Sequence, residues 1–364
     1  MMLLLVQTLP INAQEADPIQ KEITRLLDSM EITGLQELAP ETDLKEIMRS
    51  SAEGESPFEP YALLERVAYT AKASFAAALP DLMRITGIGI LSAGLLNLSA
   101  GKGGASVCEL VGTILAALTA SAQTAQLLTL ARQTMQRITE FTAQLLPSLL
   151  ALMTACGGTR SAAGLQRMTL AATGGFAQFF HDILLSLLGC AAALVLADAV
   201  QEDARMSSLH KLIRNGVHWL LGLCSAVFTG CLSLQTAAGA HYDGVALRAA
   251  KYAVDKSVPI VGGLFKDAAD TFIGCAMIVK NALGTAGLAA LASMLMLPAL
   301  RVLCASFASR ACAAMLQPFG AARISRMMNG FADVLMSAFI LVTGAALMDL
   351  VLIASLMYTG MEFL

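Results

Sequence analysis

From Ile85 onward the chain alternates apolar runs with short polar interruptions, and the runs approach the ~20 residues a helix needs to cross a hydrocarbon core. They are Ile85 to Ala100, Val107 to Ala131, Phe141 to Gly157, Phe176 to Leu196, Val217 to Ala238, Leu283 to Leu300, Val302 to Leu316 and Phe331 to Gly360. Peptide groups in lipid must be satisfied within the segment, so each run predicts a helix. Several runs are short, and the last exceeds one perpendicular crossing. The pattern therefore predicts six to eight spans.

Upstream the pattern changes. Met1 to Ile11 is a short apolar run followed by the small residue Ala13, so residues 1–13 read as a signal segment, although the usual basic start is absent. Residues 14–81 read as an acidic helical extramembrane region. Ile23, Leu26, Leu27 and Met30 fall at helical spacing, and Asp43 stands as an N-cap before Leu44, Ile47 and Met48. Gly54 to Pro60 interrupts the pattern, and a helix is predicted from Tyr61 to Ala78. This region reads as a small helical domain or a partner-binding arm.

Composition decides the class. Hydrophobic residues make up 56% and charged residues 14%, against about 25% charge in a soluble domain. The aromatic share is 5%, too little for the girdles of a membrane barrel. The chain reads as all-α, a polytopic helical membrane protein. Its blocks are residues 82–236 and 283–364, separated by an unusual element at 237–282.

Charge adds an asymmetry: acidic residues dominate from Gln14 to Asp81 and basic ones from Leu82 onward. Neither part carries the clustered Lys and Arg with interleaved aromatics of a nucleic-acid surface. With the N-terminal region outside, alternate crossings place Lys102, Arg160, Arg167, Arg248, Lys251, Lys256, Lys266, Arg323 and Arg326 inside. The opposite set, Arg132, Arg137, Arg205, Lys211, Arg214 and Arg301, is smaller.

Searching for chemistry yields little. All eight cysteines lie in apolar runs without a Cys-x-x-Cys pair, which reads as packing rather than disulfide or metal chemistry. The four histidines are scattered, and no His-Glu-x-x-His or Gly-x-Ser-x-Gly occurs. Val261 to Lys266 lacks the spacing of a phosphate-binding loop. The expectation is a non-enzyme without cofactor or metal. His181, Asp182 and Asp349 lie in apolar runs, where an ionisable group invites a functional reading, but near-interface positions make them structural.

The segment Thr236 to Lys280 carries the functional bet. From Asp243 to Lys256, Val245, Ala249, Tyr252 and Ala253 form one helical face, with Arg248, Lys251 and Asp255 on another. Pro259 and Gly262-Gly263 break that helix, and a second one from Leu264 sets Lys266, Asp267 and Asp270 within one turn. Such an element lies on headgroups or lines an aqueous cavity. Asp243, Arg248, Lys251, Asp255, Pro259, Gly262, Gly263, Lys266, Asp267 and Asp270 are the candidate gate or docking residues.

The same segment resembles the stage III sporulation protein AE family. The likeness rests on Ala237-Ala238-Gly239, Asp243 to Arg248, Ala250-Lys251, Val258 to Gly263, Phe265, Asp267-Ala268, Asp270, Lys280-Asn281-Ala282 and Leu316 to Gly320. The order of leader, acidic helical region and polytopic body agrees too. What the resemblance implies is a multi-pass protein of the mother-cell membrane facing the forespore. It would act in a secretion-like channel with other membrane subunits and a separate cytoplasmic ATPase, and a homo-oligomer is compatible with it. A stand-alone small-solute transporter is the alternative, and it would show broken helices in two matching halves.

Overall fold

The computed structural model describes residues 33–54, 60–98, 102–200, 207–257 and 262–358. The expected signal segment and the helical spacing at Ile23 to Met30 fall outside them. Within α-helical backbone, the side chains of residues 236–257 and 262–270 also lie outside the description.

The acidic region folds as two short helices, α1 (Thr33–Leu38) and α2 (Leu44–Ala52). Asp43 caps α2 as its sequence position predicts: its carboxylate accepts from the amides of Lys45 and Glu46 at 3.1 and 3.2 Å. Gln36 closes the connection, donating to the Thr42 carbonyl and accepting from the Leu44 amide. After α2 the chain turns at Gly54, whose φ of 82° suits a residue without a Cβ.

Four long helices and two shorter ones follow: α3 (Pro60–Leu98), α4 (Lys102–Ala155), α5 (Thr159–Leu170), α6 (Leu185–Val200), α7 (Ser207–Ser257) and α8 (Gly262–Leu316); α9 (Ala322–Tyr358) completes the chain. Between α5 and α6 the chain winds through two π-helical segments, Ala171–Phe176 and Phe179–Leu184. Among the described residues, six helical stretches are long and apolar enough to cross a membrane: Leu64–Gly94, Glu109–Ala155, Gly174–Ala199, Ser208–Gln235, Thr271–Leu316 and Ala322–Tyr358. The protein is thus an all-α polytopic membrane protein, at the low end of the predicted span count.

The count falls because apolar runs fuse. Val107 to Ala131 and Phe141 to Gly157 are halves of α4, a rod of 54 residues, about 80 Å long. Leu283 to Leu300 and Val302 to Leu316 likewise join in α8, 55 residues long. The helix expected over Tyr61 to Ala78 continues through Pro80 into the first apolar run. Proline removes one helical hydrogen bond but does not end a helix whose neighbours hold it in place. Pro147 and Pro298 sit inside α4 and α8 in the same way.

Side-chain contacts set the directions of the rods. α9 runs against α8, because Ser306 Oγ donates to the Ala332 carbonyl at 2.8 Å and Lys280 Nζ to the Met357 carbonyl at 3.1 Å. α7 runs with α9: Arg214 meets Asp333 and Ser225 meets Met348. α6 runs against α9, since Gly330 faces Val195 and the π-helical Phe180 lies level with Val342 to Asp349. α4 runs against α8: Leu145 lies against Gly287, while Glu109 lies near Arg323, just beyond the end of α8 at the start of α9. α3 runs with α8, pairing Ala71 with Cys304 and Thr86 with Cys312.

The crossings therefore alternate, and one end of the bundle collects the starts of α3 and α8 and the ends of α4, α7 and α9. This overturns the expected orientation. Residue 60 and residue 255 lie four crossings apart and share an end, where five crossings would have separated them. The single rod α4 is the reason, because it replaces two predicted spans by one. Lys102 and Arg160 accordingly belong to opposite ends.

Small residues let these rods approach. A Cβ on Gly112 would lie 2.3 Å from Ser92 Oγ and 2.5 Å from its Cβ, and one on Gly330 would lie 2.7 Å from Val195 Cγ1. Close backbone approach of this kind is how helices associate in lipid, where no hydrophobic force drives them together. Hydroxyls add interhelical bonds: Ser325 Oγ donates to the Ala313 carbonyl at 2.7 Å.

The N-terminal helices belong to this core. Leu35, Ala39, Leu44 and Met48 are buried with residues of α4 and α8. Thr42 Oγ1 lies 2.6 Å from Ser293 Oγ, and Thr285 Oγ1 donates to Ser51 Oγ at 2.8 Å. The apolar face of α2 thus packs inward rather than waiting for an external partner. Asp43→Ala should cost about 1 kcal/mol, a factor of roughly five in local opening. Limited trypsin cleavage after Arg49 should accelerate by that factor, and an unchanged rate would show that α2 is held by its packing alone.

Candidate functional site

The gate residues chosen from sequence fall on the facing ends of two rods. Asp243, Arg248, Lys251 and Asp255 lie on the last turns of α7, whose helix runs unbroken out of the apolar stretch ending at Gln235. Gly262, Gly263, Lys266, Asp267 and Asp270 lie on the first turns of α8. Pro259 lies outside the described residues, as do the side-chain positions of the whole set. One expectation changes: Gly262-Gly263 does not interrupt a helix but opens one, where glycine costs less than in a helix interior. Together the two rods carry residues 236–257 and 262–270 to the end of the bundle where α9 closes.

Inside the bundle the same end is fastened by Lys280. Its side chain is fully buried, and its ammonium donates to the Met357 carbonyl in the last turn of α9. A cation there meets the negative end of the helix dipole and one of its orphan carbonyls. Two residues of a sequence motif, Lys280 and Ala282, are thereby explained by packing, since Ala282 is buried beside it.

At the opposite end one carboxylate joins three helices. Asp333 on α9 pairs with Arg214 on α7 at 2.5 Å and with Arg310 on α8 at 3.1 Å. The three side chains are between 24% and 46% exposed, so the cluster is only partly withdrawn from the surroundings. His210, one turn before Arg214, is buried and lies within electrostatic reach of Asp333 and of Asp198 near the end of α6. In the sequence Asp333 and Arg310 lie inside apolar runs, whereas Arg214 falls in a polar interruption between such runs. Nothing in local spacing links residues 119 positions apart.

Between the two ends lies a small cavity of about 20 Å³ lined by Met135, Thr139, Phe176, Phe180, Phe228 and Asp349 among others. Phe176 packs edge-on to Phe228 with centroids 5.8 Å apart. Phe176 and Phe180, four residues apart and therefore on one helical face, both reach this layer from the two π-helical segments. Asp349 thus lines an internal cavity between the two ends of the bundle. His181 does lie beside Asp182, with Nδ1 2.6 Å from Oδ1, a contact between adjacent side chains of which the His181 ring is mostly buried and the Asp182 carboxylate half-exposed.

None of these sites assembles a reacting pair. Among the described residues no three His, Cys, Asp or Glu side chains gather as a metal site, and the seven described cysteines are free thiols. What the arrangement can do is hold rods together at both ends and present a polar element at one of them.

Comparisons with known proteins agree with this architecture. The family model described as stage III sporulation protein AE matches residues 42–360. Stage III sporulation protein AE of Bacillus subtilis (strain 168) is 33% identical over 190 residues, covering 52% of this chain and 48% of that protein. The matched part thus spans about half the length of that relative. No solved structure matches. With a family match running from the cap of α2 to the end of α9, the chain belongs to the stage III sporulation protein AE family.

Proposed function

We propose that this multi-pass protein is a membrane component of a sporulation-specific, secretion-like channel between mother cell and forespore, needed for forespore development. The observation that carries the reading is the family match over the whole helical body, joined to six membrane-crossing stretches. In this reading the protein sits in the mother-cell membrane facing the forespore. It works beside other membrane subunits, and a separate cytoplasmic ATPase supplies the energy. Holding rods together at both ends, with no reacting pair between them, suits a scaffold or conduit better than a catalyst.

The polar ends of α7 and α8 are the gate or docking element of that channel. Their charges are Arg248, Lys251 and Asp255 on one rod and Lys266, Asp267 and Asp270 on the other, all in the polar stretch of sequence between the apolar runs. Deleting the gene in a spore-forming host that carries it should arrest forespore development, and restoring it should recover heat-resistant spores. Restoring the Asp267→Asn, Asp270→Asn double variant should return the protein to the membrane at normal level but lower the spore count at least about tenfold, a loss equivalent to ~1.4 kcal/mol of coupling. Normal spore counts with that allele would remove the gate, and normal counts with the deletion would remove the channel.

A further inference from the structure

A larger cavity, of about 50 Å³, opens at the end of the bundle opposite Lys280, where α3 gives way to α4 and α8 to α9. It is lined by Ser92 of α3, Glu109 and Thr113 of α4, Phe319 and Gly320 of the turn before α9, and Arg323 of α9. One water needs about 10–15 Å³, so the space takes several waters or one small polar group. Gly320 adopts a φ of 84°, open to a residue without a Cβ, and Phe319 and Arg323 reach the cavity from either side of that turn.

The polar groups are of both signs. Arg323 Nε lies 3.8 Å from Glu109 Oε1, beyond the about 2.7–2.9 Å of a charge-assisted hydrogen bond. A guanidinium has five donors and a carboxylate two acceptor oxygens, so this one loose contact leaves the pair able to hold a ligand that carries both charges. Thr113 Oγ1 donates to the Glu109 carbonyl at 2.8 Å, which leaves its lone pairs as acceptors. Outward apolar side chains adjoin the lining: Leu91 beside Ser92, Leu110 beside Glu109 and Ile114 beside Thr113, all exposed. The apolar surface continues along α4 through Leu115 and Leu118. A charged pocket between helices, with apolar helix surface on one side and interhelical turns on the other, is the setting of a lipid headgroup.

We propose that this cavity binds the headgroup of a zwitterionic phospholipid with a primary ammonium, the chemistry of phosphatidylethanolamine. Its phosphate meets Arg323 and the Ser92 hydroxyl, and its ammonium meets Glu109 and Thr113. A guanidinium and a carboxylate side by side answer two opposite charges joined by a short ethylene link. Phosphatidylglycerol would leave Glu109 unanswered and its own net charge facing that carboxylate. The trimethylammonium of phosphatidylcholine offers no N–H donor and is too bulky for a space of a few waters. The site stands apart from the channel reading and needs no partner chain.

The test follows thermal unfolding of the full chain in detergent as dioleoyl lipids differing only in headgroup are added, since a ligand of the folded state raises its stability. Phosphatidylethanolamine should protect at concentrations at least about tenfold below phosphatidylcholine or phosphatidylglycerol, the worth of one charge-assisted contact. Glu109→Gln should erase the preference over phosphatidylcholine and strengthen phosphatidylglycerol, whereas Arg323→Gln should weaken all three lipids. A fold that is merely loosened would not reorder the headgroups. Ser92→Ala removes a single oxygen and should weaken phosphatidylethanolamine several-fold even where a charge variant fails to accumulate; unchanged affinity there overturns the placement in this cavity. Equal protection of the parent chain by all three lipids overturns the proposal, as does a preference that survives both charge substitutions. Glycerophosphoethanolamine, the headgroup without its chains, should protect at least about tenfold more weakly; equal protection overturns the lipid in favour of a soluble phosphate ester.

Discussion

Reversing the charge of Asp333 should prevent the protein from accumulating in the membrane. Asp333→Arg sets a third guanidinium between Arg214 and Arg310, which now share one carboxylate at 2.5 and 3.1 Å. Each new like-charge contact costs up to about 4 kcal/mol at 4 Å and an effective dielectric of 20, and the two lost charge-assisted bonds add roughly 1.5–3 kcal/mol each. The side chains are 24–46% exposed, so the sum is well below the cost in a sealed interior, yet it exceeds what a domain of ordinary stability tolerates. Asp333→Asn keeps the shape, removes the charge and should cost about 2 kcal/mol. Adding Arg214→Asp to Asp333→Arg should recover part of the loss, since one opposite pair returns while Arg310 still faces a cation. Thermal unfolding of the detergent-purified variants reads all three. An Asp333→Asn protein that melts like the parent would mean that the carboxylate fastens nothing.

The second large effect is expected at Gly112. Ser92 approaches so closely that an added Cβ falls 2.5 Å from the Ser92 Cβ. That atom is fixed to the α3 backbone, so α3 and α4 must separate. Gly112→Ala should cost the upper part of the 1–3 kcal/mol typical of overpacking, and Gly112→Val more. Gly222 on α7 has open space where a Cβ would go, so Gly222→Ala should be neutral or stabilising by up to about 1 kcal/mol through helix propensity alone. Ser92→Gly combined with Gly112→Ala should restore most of the lost stability. If the double variant melts as low as Gly112→Ala, the close approach of α3 and α4 is not what the glycine provides.

How far the sequence reveals this molecule differs by feature. Spans, helical class and the Asp43 cap were readable because each depends on residues within a few turns of one another. The fusion of apolar runs was not. Arg132 to Glu140 lowers the local hydropathy of α4, and a window average reads such a dip as a loop. The backbone ignores the dip because charges on one face leave the helical hydrogen bonds intact. Pro80, Pro147 and Pro298 mislead in the same direction. The Asp333 cluster joins residues of three helices, so no spacing rule could announce Arg214 as its partner. That residues 236–257 and 262–270 continue two membrane rods was not readable, since their pattern and that of the rods share one helical period.

The docking of α2 onto α8 has a consequence in time. Thr42 waits for Ser293, 251 residues later in the chain, and Ser51 waits for Thr285, 234 residues later. At roughly 5–20 residues per second, a ribosome needs on the order of 10–50 s to supply that surface. Throughout that interval Leu44 and Met48 lack the α8 surface against which α2 packs. An early helix is therefore among the last to settle, and whatever shelters it meanwhile has a stake in whether the bundle closes.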